Sequence, residues 1–300
     1  MTLLHTEVAV VGGGMVGGAL ALGLAQQGFE VTVIEQAAPP AFDPASKPDV
    51  RISAISAASV DLLRGLGVWE AVLAMRAHPY SRLETWEWEN AHVAFDAAEL
   101  KLPRLGYMVE NNVLQQALWQ ALEAHPRVTL RVPASIKELH PHESGYLLTL
   151  DSGDELAVKL VVGADGANSQ VRQMAGIGVH AWQYEQSCML ITVECENAPG
   201  ESTWQHFTPN GPHAFLPLFD NWLRWSGTTN RHAFASCRGF QWNNCSGKSA
   251  CISRAVWATL RRWLPGRFPS RDAMLCSMPV KGWRWWAMRH TPFIRWPGRA

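Results

Sequence analysis

Gly12-Gly13-Gly14-Met15-Val16-Gly17 fits the pattern G-x-G-x-x-G, whose chemistry is the binding of a pyrophosphate by backbone rather than by side chains. Gly12 would allow the tight turn, Gly14 would let a phosphate approach the backbone, and Gly17 would let a helix pack closely on its strand. A helix starting there presents unpaired N–H groups and the positive end of its dipole to the phosphates. Glu35, 18 residues past Gly17, falls where a carboxylate at the end of the next strand accepts hydrogen bonds from ribose hydroxyls. Alone, the glycines would be a flexible turn and Glu35 a solvated strand-end carboxylate. Together they predict a dinucleotide site and leave NAD and FAD open.

A second cluster, Val161-Val162-Gly163-Ala164-Asp165-Gly166-Ala167-Asn168-Ser169-Gln170-Val171-Arg172, also follows an apolar run. A strand-end turn of Asp-Gly type explains Asp165 and Gly166 but not Ser169 and Arg172. Arg51 lies in Asp49-Val50-Arg51-Ile52-Ser53-Ala54-Ile55, where the bland reading is a surface arginine at a helix start. His140 and His142, in His-Pro-His, have no carboxylate or Cys to complete a metal site and read as a surface loop. Trp86, Trp88 and Phe95 alternate as strand residues, in the core or on a sheet face. No G-x-S-x-G occurs, and no catalytic acid or base is assigned.

These groups need a scaffold, and the pattern supplies one. Glu7–Val11 reads as a strand, Met15–Gln27 as a helix and Val31–Glu35 as a second strand, which makes a βαβ unit. Residues 37–49, with four prolines, read as a loop. Helices are expected over Ser56–Leu66, Val68–Met75 and Asn112–Ala124. Strands are expected over Leu83–Trp88, His92–Phe95, Val128–Val132, Tyr146–Asp151 and Leu156–Val162, with a second sheet from Met189–Cys195 and Ala214–Phe219.

An apolar fraction of 47% over 300 residues is enough for a real core. The N-terminus has no signal-peptide pattern, no run of about 18 apolar residues occurs, and the irregularly spaced cysteines suit a reducing compartment. The chain therefore reads as cytoplasmic. Its net charge of zero hides a split: residues 1–222 hold 12 Lys/Arg against 25 Asp/Glu, whereas 223–300 hold 14 against one. The latter stretch also carries eight of the 15 tryptophans and four of the six cysteines, without a strand or helix period. That composition fits no ordinary domain class.

The second cluster resembles the second fingerprint of FAD-dependent aromatic-ring hydroxylases of the p-hydroxybenzoate hydroxylase type, and Arg51 resembles the arginine that contacts FAD in that family. The run Gly14–Ala25, with Asp49–Ser56 and Trp86-Glu87-Trp88-Glu89, is similar to the ubiquinone-biosynthesis branch. The resemblance covers residues 1 to about 222. It implies an α/β fold, with an FAD-binding Rossmann-like domain over 1–180 and an interleaved, truncated substrate-domain sheet. Strands at about 80–108 would belong to the substrate side and 181–222 would begin the substrate domain. The implied cofactor-binding residues are Gly12, Gly14, Gly17, Glu35, Arg51, Gly163, Asp165, Gly166, Ser169 and Arg172. The implied chemistry is monooxygenation of a polyprenyl quinol by FAD, NAD(P)H and O2 through a flavin hydroperoxide, with peripheral contact at the inner membrane or with a biosynthetic complex. An NAD-dependent dehydrogenase is disfavoured by Asp165-Gly166 and Arg51.

The family also implies a third fingerprint, Val-Gly-Asp-Ala-Ala-His followed by Pro-Leu-Ala-Gly-Gln-Gly, and no such peptide stands in the sequence. Trp has the single codon TGG and Met the single codon ATG, so part of 223–300 can be back-translated. Joining the last base of each codon to the first two of the next, Trp285-Trp286 forces Val and Trp286-Ala287 forces Gly. Ala287–Thr291 then permits Asp-Ala-Ala-His, and Ile294–Ala300 permits Pro-Leu-Ala-Gly-Gln-Gly. The family's next residues, Val-Asn, permit a stop codon directly after Ala300. A one-base loss just after Trp222 is therefore expected, with 223–300 an irregular or disordered out-of-frame tail. Cys237, Cys245, Cys251 and Cys276 then need no metal, and Arg261-Arg262 no nucleic acid. The rival to an active enzyme is an inactive truncated remnant that binds FAD or ADP weakly.

Overall fold

The computed structural model describes residues 3–230, apart from 89, 144, 182–185, 196, 197 and 210, together with the short segment 274–277. β1 (Leu3–Val11), α1 (Met15–Gln26) and β2 (Val31–Ile34) form the opening βαβ unit. Next come β3 (Ile52–Ser56), α2 (Ala57–Gly65), α3 (Trp69–Met75), β4 (His78–Tyr80), β5 (Arg82–Trp86), β6 (His92–Asp96) and β7 (Gly106–Glu110). They are followed by α4 (Asn111–Ala124), β8 (Val128–Arg131), β9 (Ile136–His142), β10 (Gly145–Leu150), β11 (Glu155–Gly163) and α5 (Gln170–Met174). The remaining strands are β12 (Gln186–Glu194), β13 (Ser202–Thr208), β14 (Gly211–Pro217), β15 (Trp222–Asn230) and β16 (Met274–Ser277).

Among the described residues these strands form sheets of order β8-β2-β1-β11-β10-β9, β16-β12-β15-β14-β13-β5-β6 and β3-β7-β4. In the first sheet β1 runs parallel to both β2 and β11, and β2 parallel to β8. Strands covered on both faces read as continuous apolar runs, which is why Val8–Val11 and Val31–Ile34 show no alternation. One face carries Val10 and Val33 against Leu22 of α1 and Leu118 and Leu122 of α4. The other carries Ala9, Val11 and Ile34 against Leu148, Val158 and Val171. Each such side chain contributes roughly 1.5–3 kcal/mol of burial.

β5 and β6 leave this region and join the seven-stranded sheet, where β5 pairs in parallel with β13. Its buried aromatic row includes Trp86, Trp204 and Phe215, with ring centroids 5.3 Å apart for the first pair and 5.5 Å for the second.

Three expectations need correction. His140 and His142 lie in a strand, β9, and not in a loop; β9 is the sheet's edge, where Pro141 can lack an N–H without breaking a ladder on both sides. Trp88 does not continue β5: it sits in the turn after it and is 60% exposed, whereas Trp86 is buried. Finally, the sheet does not stop at 222. β15 continues to Asn230, pairing Leu223 with Pro217 and Trp225 with Phe215. Ladder hydrogen bonds are made by backbone, and Leu223 and Trp225 are spaced to share a face.

Candidate cofactor site

Parallel pairing of β1 and β11 puts Val11 beside Gly163, so both glycine-containing turns leave the same end of the sheet. Ala164 N–H donates to Val11 O at 2.7 Å. Gly12 has φ 106°, a conformation that L side chains rarely adopt. A Cβ there would overlap the Ala164 carbonyl and stand 2.8 Å from Asp165 N. A Cβ at Gly17 would overlap the carbonyl of Gly12, so close packing of helix on strand requires glycine there. Gly14 differs, since a Cβ on it would meet nothing within 4 Å. Gly14 is also the N-cap of α1, which has no side-chain cap and no acidic residue in its first turn. Its N–H groups thus stay available beside open space, the condition for holding a phosphate.

Glu35, just past β2, reaches back to this turn. Its Oε2 accepts from Gly13 N at 2.5 Å, while Oε1 accepts from Gln36 N at 2.8 Å and Ala37 N at 3.4 Å. The second turn is organised otherwise. Asp165 accepts from Ser169 Oγ at 2.5 Å, Gln170 N at 2.6 Å and Val171 N at 3.2 Å. Ser169 is the N-cap of α5 and accepts from Arg172 N at 3.0 Å, and Arg172 Nη1 donates to Ala167 O at 2.9 Å. Capping therefore accounts for Ser169 and Arg172, which a bare Asp-Gly turn did not. Gly166 at φ 80° makes the left-handed step, and a Cβ on Gly163 would press on Val171 at 2.9 Å.

Arg51 is exposed, with its N–H donating to Asp49 Oδ1 at 3.3 Å and its C=O accepting from Asn111 N at 2.9 Å. Four residues along α4, Gln115 Nε2 donates to Gly13 O at 3.3 Å, and after four more Trp119 covers Gly13, where a Cβ would lie 2.7 Å from Cζ3. One helix face thus links Arg51 to the glycine turn. The sequence reading missed Gln115 and Trp119, whose signal was the spacing 111, 115, 119 on a helix already expected. Open space at Gly14, an uncapped helix and a carboxylate on the turn fit the pyrophosphate and ribose of FAD.

Residues 5–234 match the family described as FAD binding domain. The chain belongs to that family. It is 76% identical over 222 residues to 3-demethoxyubiquinol 3-hydroxylase of Escherichia coli strain K12, covering 74% of this chain and 57% of the relative. It is 39% identical over 216 residues to ubiquinone hydroxylase UbiL of Rhodospirillum rubrum, covering 72% and 50%. The FAD-family chain thus spans about half the length of the curated relatives it matches. The solved structure of p-nitrophenol 4-monooxygenase PnpA from Pseudomonas putida DLL-E4 matches with a TM-score of 0.67 at 18% identity, covering 93% of this chain and 68% of that one, which shows a common fold. Among the described residues no helix is long and apolar enough to cross a membrane. Cys237, Cys245, Cys251, Arg261 and Arg262 lie outside the described residues.

Proposed function

We propose that this chain supplies the FAD-binding part of a monooxygenase that hydroxylates a polyprenyl benzoquinol in ubiquinone biosynthesis, with NAD(P)H as electron donor and O2 as co-substrate. The observation that carries this reading is the contact of the two turns, Gly12 against Ala164, at one end of the first sheet. The names of the two relatives support the substrate class. Gly12, Gly14 and Gly17 shape the pyrophosphate cradle, and the start of α1 offers its N–H groups. Glu35 exchanges Gly13 N–H for ribose hydroxyls. Arg51 adds a cation from the opposite loop, and Gly163, Asp165, Gly166, Ser169 and Arg172 form the second wall. When bound, FAD supplies the redox chemistry toward O2, while the protein orients the ring and excludes water. The work would take place in the cytoplasm, with peripheral contact at the inner membrane where a polyprenyl quinol resides.

Purification followed by visible spectroscopy and FAD titration tests the binding. A yellow protein with one FAD per chain is expected; a soluble, folded chain that stays colourless in excess FAD ends the proposal. Coupling of NAD(P)H oxidation to quinol hydroxylation tests the full activity.

A second reading, that this chain is an inactive remnant produced by a frame change after Trp222, is favoured by the 222-residue extent of the 76% identity to the Escherichia coli hydroxylase. Resequencing the gene decides: one restored base should recover the third fingerprint, and an intact frame through codon 223 refutes the reading.

A further inference from the structure

We infer that the buried pair Arg76–Glu110 is a positioning device that fixes Arg51 for the cofactor, an inference that rests on the FAD reading. Arg76 caps the end of α3 and is 7% exposed; Glu110 ends β7 and is 5% exposed. Arg76 Nη1 meets Glu110 Oε2 at 3.3 Å. Its Nη2 donates to Asp43 O and Pro44 O, both at 2.8 Å, and to Ser46 Oγ at 3.1 Å. The guanidinium also lies over Phe42, 4.9 Å from the ring centroid, and over Phe219, 4.3 Å away. Glu110 Oε1 accepts from Asp49 N at 2.5 Å, and Asp49 in turn accepts from Arg51 N.

Residues 42–49 form no helix or strand, so their backbone polar groups require partners from elsewhere. The pair supplies partners at both ends of the loop, with Arg76 on the carbonyls of Asp43 and Pro44 and Glu110 on the N–H of Asp49. The next residue after Glu110, Asn111, holds the carbonyl of Arg51. Arg51 therefore leaves the loop from a fixed backbone, its carbonyl held by Asn111 at the start of α4, the helix that also reaches Gly13 through Gln115. A planar fork that bridges two carbonyls and stacks on rings is a task that arginine performs and lysine does not. Arg76 thus acts on FAD only through the placement of Arg51.

The test is a double-mutant cycle on the full 300-residue chain, using Arg51→Ala and Arg76→Lys, read by quenching of FAD fluorescence, with thermal unfolding as the fold control. Each single change is expected to weaken FAD binding about tenfold, the scale of one charge-assisted contact. The double variant should be no weaker than Arg51→Ala alone, within about twofold, because the two act in series. Glu110→Gln, which keeps an acceptor for Asp49 N, should repeat that non-additivity and serves if Arg76→Lys fails to fold. Multiplying effects, or Arg76→Lys binding FAD like the unaltered chain, overturn the inference alone. An unaltered chain that is folded and binds no FAD overturns the FAD reading and this inference together.

Discussion

The turn after β1 and the turn after β11 leave neighbouring strands and touch each other, yet they treat their helix ends in opposite ways. α1 starts at Gly14 with no side-chain cap and open space above it. α5 starts at Ser169, and its N–H groups are taken by Ser169 and Asp165. A helix N-terminus that the protein leaves unsatisfied is available for an anion, whereas one that is capped internally serves as structure. In the proposed reading the first turn is therefore the phosphate cradle, and the second is the wall beside it.

Several substitutions would break or sharpen this contrast. Gly12→Ala strikes the point where the turns meet: strain at φ 106° and overlap with Ala164 should cost about 3 kcal/mol or more of stability in urea denaturation. A variant as stable as the parent would mean that the turns do not touch. Gly14→Asp makes the first turn resemble the second, because the added side chain has room and can cap α1. Stability should rise by a few tenths of a kcal/mol, while FAD affinity falls about a hundredfold as the carboxylate occupies the phosphate position. Unchanged affinity would move the phosphate elsewhere. Asp165→Ala should cost about 2 kcal/mol by releasing a hydroxyl and two backbone N–H groups, with a smaller loss of FAD binding than Gly14→Asp. The reverse ranking in a flavin titration would make Asp165 a direct ligand. Ser169→Ala should have the smallest effect, about 1 kcal/mol in thermal unfolding, with FAD affinity unchanged within about twofold.

Periodicity made the βαβ opening and α4 legible, since Val8–Val11, Val31–Ile34 and residues 111–124 carry local signals of burial and helix formation. The short strands β3, β4 and β7 were not legible, because three to five residues gain their stability from partners distant in sequence, as Ile52 does from Glu110. Gln115 and Trp119 escaped notice because a polar side chain on a helix announces no partner until the fold puts Gly13 opposite it.

By itself, then, the sequence determined the chemistry of the glycine turn and its acidic companion, since backbone freedom and charge belong to each residue wherever it stands. Only the tertiary structure decided that Ala164 seals Gly12, that Asp165 faces its own helix, and that Arg76 holds the loop leading to Arg51. Each of these is a contact between segments far apart in the chain or a direction taken by a side chain. Strand pairing and packing set both, and neither is encoded in local spacing.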